Sequence, residues 1–168
     1  RKITVIDGKV GFTGGYNLAN EYFNFTHPYG QWKDTGIRLE GDAVRSLTIT
    51  FLEMWNAVND KDKNDTDFEK YLLPYEYHAK QSGFIQPYAD SPMDDEQVGE
   101  EVYISMINKA EKYCWFMTPY LIITDEMMHA MCLAAKRGVD VRIITPGIPD
   151  KKLIYSVTRS FYHGLVKD

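Results

Sequence analysis

The opening seventeen residues, RKITVIDGKVGFTGGYN, constrain the fold more than any other part of the chain. Residues 2–6 and 9–13 are short runs rich in β-branched side chains, and Asp7-Gly8 stands between them. Two such runs joined by a two-residue Asp-Gly turn are typical of a β-hairpin. Gly14 and Gly15 end the second run, and they allow the backbone to bend and to approach another group closely.

A mixed pattern follows the hairpin. Residues 16–32 are predicted to form an aromatic-rich loop, residues 35–40 a strand, and residues 42–58 an amphipathic helix capped by Asp42. The apolar residues of this helix recur at three- and four-residue steps and predict one buried stripe: Val44, Leu47, Phe51, Met54, Trp55 and Val58.

The remainder of the chain alternates between two patterns. Strands are predicted at residues 83–89, 113–118 and 139–144, and helices at residues 96–110, 124–137 and 150–167. Such alternation is typical of βαβ units around a largely parallel sheet, and Gly138 is expected to cap the middle helix. The charged stretch 59–80 lacks apolar periodicity and predicts an exposed acidic linker. The predicted divisions are therefore 1–58, 59–80 and 81–168.

Composition narrows the possible functions. A chain of 168 residues with 44% hydrophobic content can fill a globular core. Its net charge is −5, and residues 1–100 carry 10 basic and 17 acidic side chains. Nucleic-acid binding requires clustered basic side chains, so this balance argues against a nuclease.

Cys114 and Cys132 are expected to be buried free thiols in a reducing compartment, and no leader or membrane-spanning run is recognised.

Lys2 and Asn17 are the candidate chemical groups of the opening run. A lysine ammonium and an asparagine amide both donate hydrogen bonds, which suits them to the non-bridging oxygens of a phosphodiester. Lys2 is expected to share a strand face with the residue preceding Arg1, whereas Asp7 falls on the opposite parity and is expected to hold the turn. Taken singly, each residue is better explained by an ordinary hairpin and glycine turn, and only the combined spacing favours a phosphate site.

The combined spacing K-x4-D-x6-G-G-x-N, formed by Lys2, Asp7, Gly14, Gly15 and Asn17, resembles a known signature. It is similar to the part of the His-x-Lys-x4-Asp motif that follows the histidine in bacterial cardiolipin synthases, a branch of the phospholipase D superfamily. Further similar segments follow in the same order: residues 32–35, 41–44, 51–55 and 118–149. The chain begins one residue too late to include the motif histidine, and it is expected to be a segment of a longer protein.

The resemblance implies an α/β/α sandwich with a mixed, largely parallel sheet, incomplete at both ends. It places the end of one phospholipase D-like half at 1–58 and the beginning of a second at 81–168. It further implies that Lys2, Asn17 and Asp7 are catalytic positions, and that Lys2, Gly14, Gly15 and Asn17 bind the substrate phosphate.

The activity implied by the resemblance is transfer of a phosphatidyl group between two phosphatidylglycerol molecules through a phosphohistidine, giving cardiolipin and glycerol. No metal or cofactor is implied, and no nucleic-acid partner. The intact parent is expected at the cell membrane with a cytoplasmic catalytic part, and the fragment is expected to be soluble and inactive, since both catalytic histidines lie outside it. A hydrolytic phospholipase D, a nuclease of the superfamily and a non-catalytic module are the alternatives.

Several other patterns are weaker. His78-Ala79-Lys80 begins like the motif, but Ile85 stands where Asp is required, and the remaining histidines have no lysine two residues on. The run Asp60-x-Asp62-x-Asn64 begins like a calcium loop but lacks its glycine and glutamate.

Two interpretations remain open for residues 118–120, a substrate-cleft turn or a plain strand ending. The rings of residues 16–32 are expected mainly to pack in a core, with an acyl-chain or membrane surface as the alternative.

Overall fold

The computed structural model describes residues 2–59, 61, 65–72, 74, 76–79, 82–91 and 95–167. The chain divides into two compact units, residues 1–89 and residues 90–168. Each unit combines strands with helices, which confirms the predicted α/β class. No described helix is both long enough and apolar enough to cross a bilayer.

The first unit is built on a three-stranded antiparallel sheet in the order β1-β2-β3. The strands are β1 (Ile3–Ile6), β2 (Val10–Gly14) and β3 (Gly36–Glu40). Between the first two, Asp7 and Gly8 have φ values of 54° and 65°, and the Lys9 amide donates to the Ile6 carbonyl at 3.0 Å. Because a type I′ turn requires positive φ at both central residues, the predicted Asp-Gly hairpin is confirmed.

Helix α1 (Ala43–Val58) packs against all three strands. Its first half supplies most of a small core that also includes one residue of β3: Leu39, Val44 and Leu47. Asp42 precedes the helix as predicted, but its side chain makes no capping hydrogen bond.

The predicted buried stripe of α1 is wrong for its second half. Four of the six stripe residues are exposed: Phe51, Met54, Trp55 and Val58. A helix of 16 residues is about 24 Å long, whereas strands of four or five residues extend only about 13–17 Å. The last turns of α1 therefore extend past the sheet that covers its first turns.

Part of the predicted acidic linker packs onto the first unit. Glu69–Tyr71 form a short 3₁₀ turn, and Leu72 beside it is only 7% exposed. The Leu72 carbonyl accepts a hydrogen bond from Arg45 Nη1 at 3.3 Å. The expected exposure of the whole stretch is thus wrong at Leu72. Four residues discussed in this region lie outside the described residues: Asp60, Asp62, Asn64 and Lys80.

The predicted strand at residues 83–89 is also wrong. Residues 82–91 have no regular secondary structure, and Phe84 and Ile85 are exposed. A short apolar run forms a strand only where a neighbouring strand accepts its backbone hydrogen bonds and a core covers one face.

The second unit is a βαβ unit with two further helices. Its elements are α2 (Val98–Lys109), β4 (Tyr113–Met117), α3 (Asp125–Lys136), β5 (Asp140–Ile144) and α4 (Lys152–Val166). Strands β4 and β5 pair in parallel, with Tyr113 opposite Asp140 and Met117 opposite Ile144. The core of this unit is formed by Ile107, Ala130, Met131, Ala134 and Val139.

Helix α3 has well-defined ends. The Thr124 side chain accepts a hydrogen bond from the Met127 amide at 3.2 Å, which caps the first turn. At the other end, Gly138 has a φ of 91° and its amide donates to the Ala135 carbonyl at 2.9 Å. The predicted glycine cap is therefore confirmed.

The pairing of the strands differs between the units. Parallel pairing occurs in the second unit, whereas the three strands of the first unit are antiparallel. The expected mixture of pairings is thus observed, with parallel pairing at β4 and β5 and the predicted hairpin at β1 and β2, whereas a largely parallel sheet is observed only as the β4–β5 pair. A two-residue turn can join only antiparallel neighbours, because a parallel pair needs a crossover of a dozen residues or more. The layered sandwich stays a prediction.

Candidate functional site

The structure brings Lys2, Gly15 and Asn17 together at one end of the β1–β2 hairpin. Lys2 Nζ donates to the Gly15 carbonyl at 2.6 Å and to Asn17 Oδ1 at 2.5 Å. Because Ile3 pairs with Thr13, Lys2 lies beside the end of β2. The two predicted phosphate donors are therefore neighbours, although fifteen positions separate them in the sequence.

The glycine pair permits the close approach that forms this site. A Cβ atom on Gly14 would lie 2.5 Å from the Thr35 carbonyl oxygen and 2.6 Å from Gly36 Cα. A Cβ atom on Gly15 would lie 3.1 Å from Asp34 Oδ1. The Gly15 amide also donates to the Thr35 carbonyl at 3.0 Å. Residues 34–36 thus hold the glycine turn in place, and a side chain at Gly14 would push them away.

The Lys2–Asn17 contact leaves hydrogen-bond donors for a ligand. An ammonium group has three N–H donors, and within the described residues the Gly15 and Asn17 oxygens accept two of them. The Asn17 oxygen accepts from Lys2, so its amide N–H₂ group is the part available for binding. Both side chains are exposed. This donor pair with one positive charge can bind an anionic oxygen from solvent.

Asp7 is not part of this cluster. It occupies the turn at the opposite end of the hairpin, where β1 passes into β2. There it lines a cavity of about 620 Å³ together with Phe51, Trp55 and Lys70. The structure therefore brings together four of the five predicted positions and places Asp7 in the turn.

Sequence reasoning missed the residues that support the glycine turn. Asp34 belongs only to the similar segment 32–35, Thr35 to that segment and the predicted strand, and Gly36 only to the predicted strand. A Cβ atom on Gly36 would lie 2.5 Å from the Tyr16 ring. A glycine inside a strand pattern is a signal of close approach by another group, and this signal was present in the sequence.

The aromatic loop that follows Asn17 is ordered by internal contacts. The Asn24 side chain donates to the Trp32 carbonyl at 2.8 Å and accepts from the Trp32 amide at 2.6 Å. Tyr22 and Tyr29 pack edge-on against Trp32, with ring centroids 5.0 Å and 6.0 Å away. Four of the six rings are half-buried: Tyr16, Tyr22, Tyr29 and Trp32. The predicted packing is therefore partial, because the remaining two rings are exposed.

The turn after β4 uses its polar groups internally. Thr118 Oγ1 donates to the Tyr120 carbonyl at 3.0 Å, and Tyr120 Oη donates to Asp150 Oδ2 at 2.6 Å. The Leu121 amide donates to the buried Thr158 Oγ1 at 3.0 Å. The other Asp150 oxygen, Oδ1, is buried without a hydrogen-bond partner in the described part of the chain. These bonds fix the path of residues 118–121 and favour a structural role.

In the described part of the chain, the remaining reactive side chains do not form a second cluster. His78 lies 3.4 Å from Glu76, and both side chains are exposed. Cys114 and Cys132 are half-buried and form no disulfide, and burial raises the pKa of the Cys114 thiol, so its unreactive protonated form is favoured. Within the described residues, no three His, Cys, Asp or Glu side chains are placed to hold a metal ion.

Comparison with known proteins gives consistent matches. The family model described as cardiolipin synthase, PLD-like domain, matches residues 103–168. Cardiolipin synthases of Alkalihalophilus pseudofirmus and Halalkalibacterium halodurans are 38% and 36% identical over 168 residues, 99% of this chain and 33% of each relative. A protein of Streptococcus mutans described as uncharacterized is 49% identical over 166 residues, 99% of this chain and 35% of that protein.

The chain spans about a third of the length of the curated relatives it matches. No solved structure matches it significantly. The family model covers much of the second unit, and the alignments with whole cardiolipin synthases extend the similarity through the Lys2–Asn17 site. The predicted relationship is thereby confirmed at the level of similarity: the chain resembles cardiolipin synthases along nearly its whole length, and residues 103–168 match the phospholipase D-like domain of that family.

Proposed function

We propose that this chain is part of a phosphatidyltransferase that forms cardiolipin from two phosphatidylglycerol molecules. The observation that carries the proposal is the contact of Lys2 Nζ with Asn17 Oδ1 at 2.5 Å, which pairs a cation with an amide donor. The similarity to proteins named cardiolipin synthase supports this function for the same stretch of sequence.

Lys2 and Asn17 would bind the non-bridging oxygens of the substrate phosphate. Charge on these oxygens must be stabilised as the transferred group passes between nucleophiles, and fixed donors do this without reorganising. Gly14 and Gly15 act indirectly, because their lack of side chains lets residues 34–36 hold the turn that carries Asn17. Asp7 contributes by forming the hairpin turn.

The covalent steps would be performed by two histidines outside this chain. One histidine nitrogen attacks phosphorus, so a P–N bond forms while the P–O bond to the departing glycerol breaks, and the other histidine protonates that oxygen. A hydroxyl of the second phosphatidylglycerol then gives its proton to the second histidine and attacks phosphorus, which breaks the P–N bond. None of the four histidines in the chain begins the full motif, so the chain alone would be inactive.

The proposed architecture follows from the same relationship. Residues 1–58 would form the end of one phospholipase D-like half and residues 81–168 the beginning of another, within an α/β/α sandwich. The full-length protein would work at a membrane surface, because both substrates and the product are phospholipids.

Hydrolysis is the second candidate function. The same donors would bind the phosphate, and water would replace the second phosphatidylglycerol as the acceptor. The acidic balance of residues 1–100 disfavours a nuclease, since phosphate contacts along a nucleic acid need clustered cations.

Product analysis separates these functions. The full-length protein that contains this sequence would be incubated with phosphatidylglycerol vesicles, with phosphatidylcholine vesicles as the control. We expect cardiolipin and glycerol in equal amounts. Phosphatidic acid with glycerol would instead establish hydrolysis, and the absence of any phosphorus-containing product would favour a non-catalytic module.

A further inference from the structure

An exposed apolar patch lies directly beside the Lys2–Asn17 site. Its members are Leu18, Phe23 and Phe25, which are 83%, 52% and 77% exposed. Phe23 and Phe25 contact each other, with ring centroids 6.2 Å apart. Large apolar side chains grouped on a surface mark an interaction site more often than scattered ones do.

The local backbone keeps this patch close to the phosphate donors. Leu18 follows Asn17 directly, at a Cα separation of about 3.8 Å. The Phe23 amide donates to the Ala19 carbonyl at 3.1 Å, so one turn of about 5.4 Å brings Phe23 back over Ala19, the residue after Leu18. The Phe25 amide donates to the Asn20 carbonyl at 2.9 Å. The patch and Asn17 thus belong to one short ordered segment, and Lys2 contacts its first residue.

The exposure is not the result of a loose loop. Tyr22 and Tyr29 pack on Trp32, and the Asn24 side chain is hydrogen-bonded to the Trp32 backbone on both sides. The same loop therefore packs its tyrosines and tryptophan inward while its two phenylalanines remain outside.

We infer that Leu18, Phe23 and Phe25 enter the outer part of a phospholipid bilayer and contact the acyl chains of the lipid whose phosphate Lys2 and Asn17 bind. This inference rests on the proposed function. The polar interface of a bilayer is about 5–8 Å deep on each side, so the Leu18 side chain, next to Asn17, reaches the start of the acyl chains, and Phe23 and Phe25 lie further along the same hydrogen-bonded loop. A protein segment laid over Leu18 would also cover Asn17 and close the site to its substrate.

Site-specific labelling tests this placement. In the full-length protein that contains this sequence, with native cysteines replaced by alanine, an environment-sensitive NBD fluorophore would be attached through Phe25→Cys. The matched control is Phe84→Cys, because Phe84 is fully exposed in the same unit and lies far along the chain from the patch. Phosphatidylglycerol vesicles should shift the Phe25→Cys label to the blue, and lipids with doxyl-labelled acyl chains should quench it, with no change for the control.

Two results would overturn the inference. A label at Phe25→Cys that stays in water while the protein is bound to vesicles would show that the patch does not enter the bilayer. A label already shifted to the blue without vesicles would show that another part of the protein, or a second copy, covers the patch.

Kinetics provides an independent measurement. The triple variant Leu18→Ser, Phe23→Ser, Phe25→Ser should raise KM for vesicular phosphatidylglycerol by about tenfold or more while leaving turnover of a short-chain, water-soluble phosphatidylglycerol unchanged. The control triple variant is Phe84→Ser, Ile85→Ser, Leu153→Ser, and it should change neither value. Equal loss on both substrates would contradict the inference. If the unmodified protein turned over neither substrate, the proposed function would fail, whereas the labelling result would still decide the membrane contact.

Discussion

The end of the β1–β2 hairpin and the turn after β4 are both polar turns at strand ends, yet they use their polar groups differently. In the first, Lys2 and Asn17 are exposed and hydrogen-bonded to each other, which leaves N–H donors for a ligand. In the second, the Thr118 and Tyr120 hydroxyls donate within the protein, and the buried Thr158 oxygen accepts from the Leu121 amide.

Polar residues at a strand end are therefore not sufficient to form a binding site. A turn binds a ligand only if its donors remain accessible after the fold has satisfied its own backbone. The hairpin meets this condition, because the backbone contacts of Gly15 with Thr35 fix the turn while the side chains of Lys2 and Asn17 stay at the surface. Removing the donor side chains of the hairpin should therefore affect turnover, whereas changes to the backbone contacts of the glycine turn or to the bonds of the β4 turn should affect stability.

The largest effect is expected for Lys2→Ala. Removing the cation from the full-length protein should lower kcat for phosphatidyl transfer by about 10²–10³-fold, since a preorganised donor to a transition-state oxyanion contributes that much. The unfolding midpoint should stay unchanged, because Lys2 is exposed. Lys9→Ala removes the same charge from the opposite end of the hairpin and should leave turnover near the unmodified value. Full activity of Lys2→Ala would remove the hairpin from the proposed site.

The next effect is expected for Gly14→Ala. The added Cβ would meet the Thr35 carbonyl and Gly36 Cα at 2.5 Å and 2.6 Å, and backbone atoms cannot rotate away as a side chain can. We expect the free energy of unfolding to fall by about 3 kcal/mol, at the upper end for overpacking, as measured by urea denaturation. Gly147→Ala is the control, since nothing lies within 4 Å of a Cβ atom there. Equal stability of the two variants would show that β3 does not need a glycine opposite it.

A smaller loss of stability, without loss of activity, is expected for Thr158→Val. Valine has the same shape as threonine but no hydroxyl, so the amide of the buried residue Leu121 loses its hydrogen-bond acceptor. The free energy of unfolding should fall by about 2 kcal/mol, while the activity of the folded full-length protein should stay the same. Ser105→Ala removes an exposed hydroxyl from α2 and should change neither quantity. A loss of kcat comparable to that of Lys2→Ala would instead assign the β4 turn to the active site.

Much of the fold could be predicted from local sequence. The Asp7-Gly8 turn requires positive φ at both residues, and Gly138 requires it at a helix end, so short signals determined both. The apolar run at residues 83–89 also predicted a strand, but these residues form no strand. Apolar periodicity likewise overestimated the buried stripe of α1, because it identifies an apolar face but not the length of the sheet that covers it.

The candidate site, like the fold, could be predicted from local sequence only in part. The spacing of Lys2, Gly14, Gly15 and Asn17 resembles the family motif, and this resemblance, together with the donor groups of Lys2 and Asn17, predicted the candidate site. The supporting contacts of Asp34, Thr35 and Gly36 depended on a strand that returns from more than twenty residues away. Their role follows from β3 pairing with β2, which local sequence does not specify.

Residue types and their spacing were sufficient to predict the hairpin, the βαβ alternation of the second unit, the similarity to cardiolipin synthases and the candidate phosphate donors. Only the tertiary structure decided that Lys2 and Asn17 touch, that Asp7 lies at the far end of the hairpin, and that Phe23 and Phe25 remain exposed while Trp32 packs. The physical reason is that hydrogen bonds and burial depend on which distant segments meet, and strand pairing brings those segments together.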